Sequence, residues 1–255
     1  MTEQVLTVNQ EGILQITLNR PEKKNALNAA MYNVMSDAIE GAEDDFSVRV
    51  LLITGCADSF TAGNDIADFL EISADMGTSP ATRFLHAISR SSVPIVAAVN
   101  GLAVGVGTTM LLHCDQVLAS SSAIFTLPFV NLGVVPEAAS SLLLTRQAGY
   151  QRAAELLLLG EPFDAQTALE AGIVSRIHED DTLLDAALTL SQKLAAKPRG
   201  ALRASKQLLR RTSESVEERM EAELKVFAEY IQSPASVEIM TAFIERRKPD
   251  PAKID

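Results

Sequence analysis

Two glycine-containing turns and one carboxylate carry most of the chemical information in this chain of 255 residues. Pro94 to Gly107 is an apolar run that breaks into a turn containing Gly105 and Gly107, and Asn131 to Ser141 is another turn feeding a helix, with Glu137 inside it. A glycine turn between a buried strand and a helix points backbone N–H groups into a cavity, a geometry that favours developing negative charge. Tight packing of a strand on a helix calls for the same small residues. Ser59 to Ile66 is a further strand-to-helix turn, with Ala62 and Gly63 where backbone must come close to something. If the two turns converge, each supplies one N–H to a single oxyanion. Loss of one such donor typically costs roughly 2.7–4 kcal/mol of transition-state stabilisation.

Glu137 has two readings. Pro136 followed by an acid fits the first turn of a helix, where proline is tolerated and a carboxylate meets the positive end of the dipole. Val134, Val135 and Ala138 also give it an apolar setting, which lifts a carboxyl pKa toward that of a useful general base. Other catalytic machinery is missing. His86, His113 and His178 lie in no familiar spacing with a cysteine, serine or carboxylate and read as helix-surface or core residues. There is no Gly-x-Ser-x-Gly elbow and no metal-ligand cluster. Gly105-Val-Gly107 lacks the third glycine and the downstream acid of a dinucleotide fingerprint. Asp65, after Gly63 and Asn64, reads as the cap of the next helix.

The elements that must position these residues follow from periodicity. Val5 to Val8 and Ile13 to Leu18 read as a hairpin about Glu11-Gly12, and Asn28 caps a helix reaching Glu40. Strands are predicted at Val48 to Thr54, Ile95 to Val99, Gln116 to Ala119, Ala123 to Leu127 and Ile173 to Ile177. Helical segments are predicted up to about Arg90, at Gly107 to Cys114, and over 137–147, 151–159 and 165–170. After Asp181 the pattern is helical throughout, with turns near Pro198 and Pro234. Strands alternating with helices, then helices alone, indicate an α/β core with a helical C-terminal piece.

Composition narrows the class. The net charge is −11, which argues against a nucleic-acid binder, whose affinity rests on phosphate neutralisation. Hydrophobic residues make up 47% of the chain and aromatics only 5%, enough for a large aliphatic core. The mean hydropathy of +0.13 is high for a monomer, so an oligomer that buries helix faces is expected. Cys56 and Cys114 show no disulfide or metal spacing and suit a reducing compartment. With no basic and apolar leader at Met1 and no stretch long enough to span a membrane, a cytoplasmic protein with no membrane partner is expected.

Taken together, these segments resemble the enoyl-CoA hydratase/isomerase (crotonase) superfamily over nearly the whole chain. The resemblance runs through Leu18 to Asn28, Phe60 to Ile66, Pro94 to Gly107, Cys114-Asp115, Gly133 to Ser141 and Ala242 to Lys248. It implies an α/β spiral of ββα units over residues 1–196 and a helical oligomerisation region over 197–255, assembled as a homotrimer or dimer of trimers. It implies an acyl-CoA substrate and no separate cofactor, coenzyme A being part of the thioester. The backbone N–H groups of Ala62 and Val106 would form the oxyanion hole. Lys24, Ala26, Ala62, Gly63, Asn64, Asp65 and Ile66 would hold the adenosine and phosphate end, with Arg246 or Lys248 reaching a phosphate from a neighbouring subunit.

The departures from the hydratase pattern matter as much. Hydratases of this superfamily use two glutamates, and those positions here are Thr109 and Phe129, which cannot serve as acid or base at neutral pH. The superfamily's Δ3,Δ2-enoyl-CoA isomerases often place a single glutamate where Glu137 stands. The resemblance therefore implies an isomerase in which Glu137 shuttles a proton while Phe129 and Val106 help exclude water. Two alternatives stay open: a hydratase or other crotonase reaction using Asp68 or Glu71 as acid, and a non-catalytic acyl-CoA-binding protein. Fold alone does not separate them.

Overall fold

A computed structural model of the protein describes residues 3–67, 76–211 and 214–254. The N-terminal hairpin forms as expected, β1 (Val5–Gln10) pairing antiparallel with β2 (Ile13–Leu18). Glu11 and Gly12 take the positive φ values that a tight two-residue turn needs. Helix α1 (Ala29–Asp44) follows, with the Asn28 side chain accepting the Met31 N–H.

A repeating unit then winds through the chain. Each turn of it places one strand in a large sheet and one in a small sheet. β3 (Val50–Gly55) is followed by β4 (Ser59–Thr61), β5 (Ile95–Val99) by β6 (Leu102–Val104), and β7 (Gln116–Ser120) by β8 (Ile124–Thr126). Helices follow in turn: α2 (Pro80–Arg90) after the first pair and the short α3 (Val106–Thr109) after the second. After the third pair come α4 (Ser140–Ala148) and α5 (Tyr150–Ala154). The chain closes the core with β9 (Phe163–Asp164), α6 (Ala165–Glu170) and β10 (Arg176–His178). The large sheet has the order β1-β2-β3-β5-β7-β10 and the small one β4-β6-β8-β9. From β2 onward the large sheet is parallel.

Side-chain alternation sorts the core into two layers. Ile53, Ile95, Ala97, Val99 and Val117 face the interior shared with α1, α2 and the small sheet. Val50, Leu52, Val96, Ala98 and Leu118 face α7 (Leu183–Ala195), against Leu183 and Ala187. Because both faces are covered, the central strands read as continuous apolar runs. Beyond α7, helix α8 (Arg199–Leu209) docks on the C-terminus of α1. Arg203 donates to the Glu43 and Ala42 carbonyls at 2.8 and 3.0 Å, supplying positive charge where the helix leaves carbonyls unpaired. Helices α9 (Val216–Tyr230) and α10 (Pro234–Ile244) follow, and a 3₁₀ turn over Pro251–Lys253 comes last.

Three sequence expectations need correction. The strand expected at Ile173 to Ile177 begins at Arg176, because Ile173 and Val174 bend back to hydrogen-bond the Ala168 carbonyl. The helix expected from residue 137 begins at Ser140. The expected helix over Gly107 to Cys114 is a single α-turn that tightens to 3₁₀ over Met110–His113.

Candidate active site

The two small-residue turns meet because β4 and β6 are parallel neighbours in the small sheet. The approach is close enough to require glycine. A Cβ on Gly63 would lie 2.7 Å from the Val104 carbonyl oxygen, and one on Gly107 would lie 2.5 Å from Thr61 Cγ2. Gly63 and Gly105 also hold φ of +87° and +55°, which few side chains tolerate.

Residues 62–64 are held by a dense set of hydrogen bonds. Asn25, fully buried, donates through Nδ2 to the Ser59 and Cys56 carbonyls at 2.7 and 3.0 Å. Thr61 Oγ1 donates to the Asn25 carbonyl at 2.7 Å and accepts from the Gly63 N–H at 3.1 Å. Leu27 forms a parallel bridge with Asn64, its N–H reaching the Gly63 carbonyl at 2.7 Å and its carbonyl taking the Asp65 N–H at 2.8 Å.

This lattice corrects the oxyanion assignment. The Ala62 N–H donates to the Lys24 carbonyl at 2.9 Å, so it is turned inward and cannot serve a ligand. Gly63, at φ +87°, breaks the strand's regular alternation and gives its own N–H to Thr61 Oγ1. The next N–H after the one given to Thr61 belongs to Asn64, and it has no protein acceptor among the described residues. Asn64, not Ala62, is the available donor on this strand.

On the other turn, the Gly105 N–H goes to the Thr126 carbonyl at 2.9 Å, while the Gly105 carbonyl accepts from Thr108 and Thr109. Val106, the first helical residue, has an N–H with no intrahelical partner. Its side chain is buried in the main core, so the β-branch points away from the turn and leaves the backbone donor unobstructed.

Glu137 reaches the same region from the third ββα unit. It does not open a helix. Ala138 and Ala139 take left-handed φ values of +53° and +55°, and the Ser140 N–H and hydroxyl close on the Glu137 carbonyl at 2.9 and 2.6 Å. Only then does α4 begin, so the first-turn reading and its dipole do not hold. Two consecutive left-handed alanines are strained and persist only when their surroundings fix them. Part of that fixing is a 2.8 Å contact between His113 Nε2 and the Ala138 carbonyl. Burial pushes the His113 pKa down, which favours the neutral ring with its proton on Nε2.

Glu137 is half-buried. Thr109 Oγ1 donates to its Oε1 at 2.5 Å. Burial raises the Glu137 pKa above the usual carboxylate range, and the Thr109 hydroxyl partly opposes that rise by stabilising the charged form. The direction is the one expected from the sequence, but the cause differs: Val135 is 79% exposed and lends no apolar cover. Oε2 has no hydrogen-bond partner among the described residues.

The remaining predicted positions fall as follows. Ala26 is buried, and its carbonyl accepts from Arg20 at 3.0 Å. Asp65 pairs with Arg20 at 2.7 Å and also accepts the Ala67 N–H, so it caps as expected while its charge is held by arginine. Lys24 is exposed in left-handed backbone, Ile66 is exposed, and Phe129 is buried in the core. Arg246 and Lys248 follow α10, and no hydrogen bond or ion pair among the described residues joins them to Asn64, Val106 or Glu137. Asp68 and Glu71 lie outside the described residues. Sequence reasoning missed His113 and Tyr32 as neighbours of the site. It also treated Thr109 only as a lost glutamate, without its hydrogen bond to Glu137.

The arrangement is one half-buried carboxyl of raised pKa, hydrogen-bonded to Thr109 three residues beyond Val106, together with the Asn64 and Val106 N–H groups, which have no protein acceptor among the described residues. An α/β fold that winds in ββα units and carries such an arrangement defines a recognisable class, and comparison with known proteins agrees. A family model described as enoyl-CoA hydratase/isomerase matches residues 8–252. The chain belongs to this family. It is 35% identical to the 2,3-dehydroadipyl-CoA hydratase of Escherichia coli K12, over 97% of this chain and 98% of that protein. It is likewise 35% identical to enoyl-CoA delta isomerase 2 of Rattus norvegicus, over 81% of this chain and 54% of that one. Among solved structures, an enoyl-CoA hydratase/isomerase from Pseudoalteromonas atlantica T6c superposes with a TM-score of 0.79 at 44% identity, over 97% of this chain and 99% of that one. An enoyl-CoA hydratase from Polaromonas sp. JS666 gives 0.89 at 28% identity, over 96% and 98%.

Proposed function

We propose that this family member moves the double bond of a 3-enoyl-CoA thioester from C3 to C2. The observation that carries this reading is the pairing of Glu137 with Thr109. A single carboxyl of raised pKa has one oxygen held and the other unpartnered, while Thr109 and Phe129 occupy the two positions where the resembled hydratases carry glutamates. In this reading the Asn64 and Val106 N–H groups stabilise the enolate oxygen of the thioester. Glu137 Oε2 takes a proton from C2, the electron pair delocalises to give the dienolate, and the same oxygen returns the proton to C4. One pivoting group suffices because both carbons lie on one face of a nearly planar fragment. Burial helps, since a base works best with a pKa near the working pH. No group beyond the substrate's own coenzyme A is needed.

The names of the relatives support the coarser statement, an acyl-CoA enzyme of this family, and they include both hydratase and isomerase. Supplying a 3-enoyl-CoA and a 2-enoyl-CoA separately distinguishes the two. The isomerase reading expects migration of the double bond with the first and little addition of water to the second. Rapid hydration of the 2-enoyl-CoA with no migration of the 3-enoyl-CoA overturns it. We also expect the chain to self-associate through its C-terminal helices, where Leu224, Phe227, Phe243 and Ile244 are exposed on α9 and α10. Light scattering tests this: a trimer or hexamer is expected, and a monomer contradicts it.

A further inference from the structure

Tyr32 lies on α1, far in sequence from both turns, yet its hydroxyl is committed to the site. The residue is 3% exposed, and its ring packs on Phe84 at 5.5 Å between centroids. Its hydroxyl donates to Asn64 Oδ1 at 2.5 Å. Asn64 is therefore gripped twice. Leu27 holds its backbone through the parallel bridge, and Tyr32 holds its side chain from another direction. The Asn64 N–H and Nδ2 remain, and neither has a protein acceptor among the described residues. Burial and the neighbouring Glu137 carboxylate both hold the phenol in its protonated form, so it stays a donor wherever Glu137 is ionised.

We propose that Tyr32 is a positioning residue for the oxyanion donor, its buried phenol locking the Asn64 side chain and with it the direction of the Asn64 backbone N–H. This rests on the oxyanion part of the reading above but not on the isomerase part. A backbone donor contributes to rate only if it is aimed where charge develops, and the Tyr32 hydrogen bond adds a side-chain restraint to the backbone bridge that Leu27 provides. A core tyrosine that merely satisfies its hydroxyl would leave catalysis untouched when the hydroxyl is removed.

The test uses Tyr32→Phe, which keeps the ring against Phe84, together with Asn64→Ala and the double variant. Two readouts are taken on the full chain. The first is kcat and KM with a 3-enoyl-CoA. The second is the near-ultraviolet absorbance of bound acetoacetyl-CoA, which loses its C2 proton to solvent or base and becomes an enolate when its carbonyl oxygen is stabilised. Tyr32→Phe is expected to lower kcat roughly three- to tenfold, the worth of one hydrogen bond, with KM changed less than twofold and the enolate signal reduced in parallel. The double variant is expected to be no worse than Asn64→Ala alone. Wild-type kcat and enolate signal in Tyr32→Phe overturn the proposal. So do effects of the two single changes that multiply in the double variant. If the protein does not migrate double bonds at all but its enolate signal still falls with Tyr32→Phe, the isomerase reading fails and this one stands.

Discussion

Thr109 and Glu137 come from different ββα units, 28 residues apart, and share a 2.5 Å hydrogen bond in which the threonine hydroxyl donates to Oε1. Thr109 is fully buried, so its hydroxyl has no solvent to turn to, and in the proposed reaction the other carboxyl oxygen is the one that moves the proton. On that proposal, the hydroxyl that stands in place of a hydratase glutamate aims the carboxylate that remains.

The pH profile should report this bond. The base must be ionised, so activity rises with pH through the raised Glu137 pKa. Thr109→Val removes the interaction that favours the carboxylate, and the acid limb of kcat/KM should move to higher pH, with a roughly three- to tenfold loss near neutrality. Thr109→Ser should restore the wild-type limb. An unmoved limb in Thr109→Val means the hydroxyl does not govern Glu137.

Stability should carry the opposite mark. A carboxyl whose folded pKa lies above its unfolded value, about 4.3 for glutamate, adds stability in full below that value and loses it as pH rises through the folded pKa. Neutral pH is therefore where Glu137 weakens the fold, and Glu137→Gln should melt higher there, by on the order of a few degrees. The difference should vanish in acid. Thermal unfolding at several pH values checks this, and a variant that melts lower than wild type at neutral pH contradicts it.

Gly63 tests the meeting of the two turns. At φ +87°, with a Cβ directed 2.7 Å from the Val104 oxygen, alanine must both strain the backbone and push the strands apart. Gly63→Ala should cost roughly 1–3 kcal/mol of stability and most of the activity. A variant that melts and turns over like wild type would show that the turns do not need this closeness.

Much of the scaffold was legible from residue order. The Glu11-Gly12 hairpin, the Asn28 cap and the apolar strands after residue 48 follow from period and turn chemistry, because those signals are local. The three-residue strands β4, β6 and β8 were harder, since alternation over so few positions says little, and of these only β8 was anticipated. For the site, Glu137 is legible as a lone acid in an unusual turn, but the resemblance points to Ala62 as the donor on the first turn, whereas among the described residues it is the Asn64 N–H that lacks an acceptor. That choice depends on which N–H faces Lys24, a tertiary fact with no local signature. His113 and Tyr32 were invisible for the same reason: each reaches the site across the fold, His113 through the Ala138 carbonyl and Tyr32 through Asn64 Oδ1.

Turnover of a 3-enoyl-CoA by Glu137→Gln, measured beside acyl-CoA binding by the same variant, tests the central claim most directly. The amide keeps the shape and still accepts the Thr109 hydrogen bond, but it cannot carry a proton from C2 to C4. Loss of double-bond migration by about 10²- to 10⁴-fold, with binding retained, is the predicted result. Near-normal migration in Glu137→Gln would contradict it.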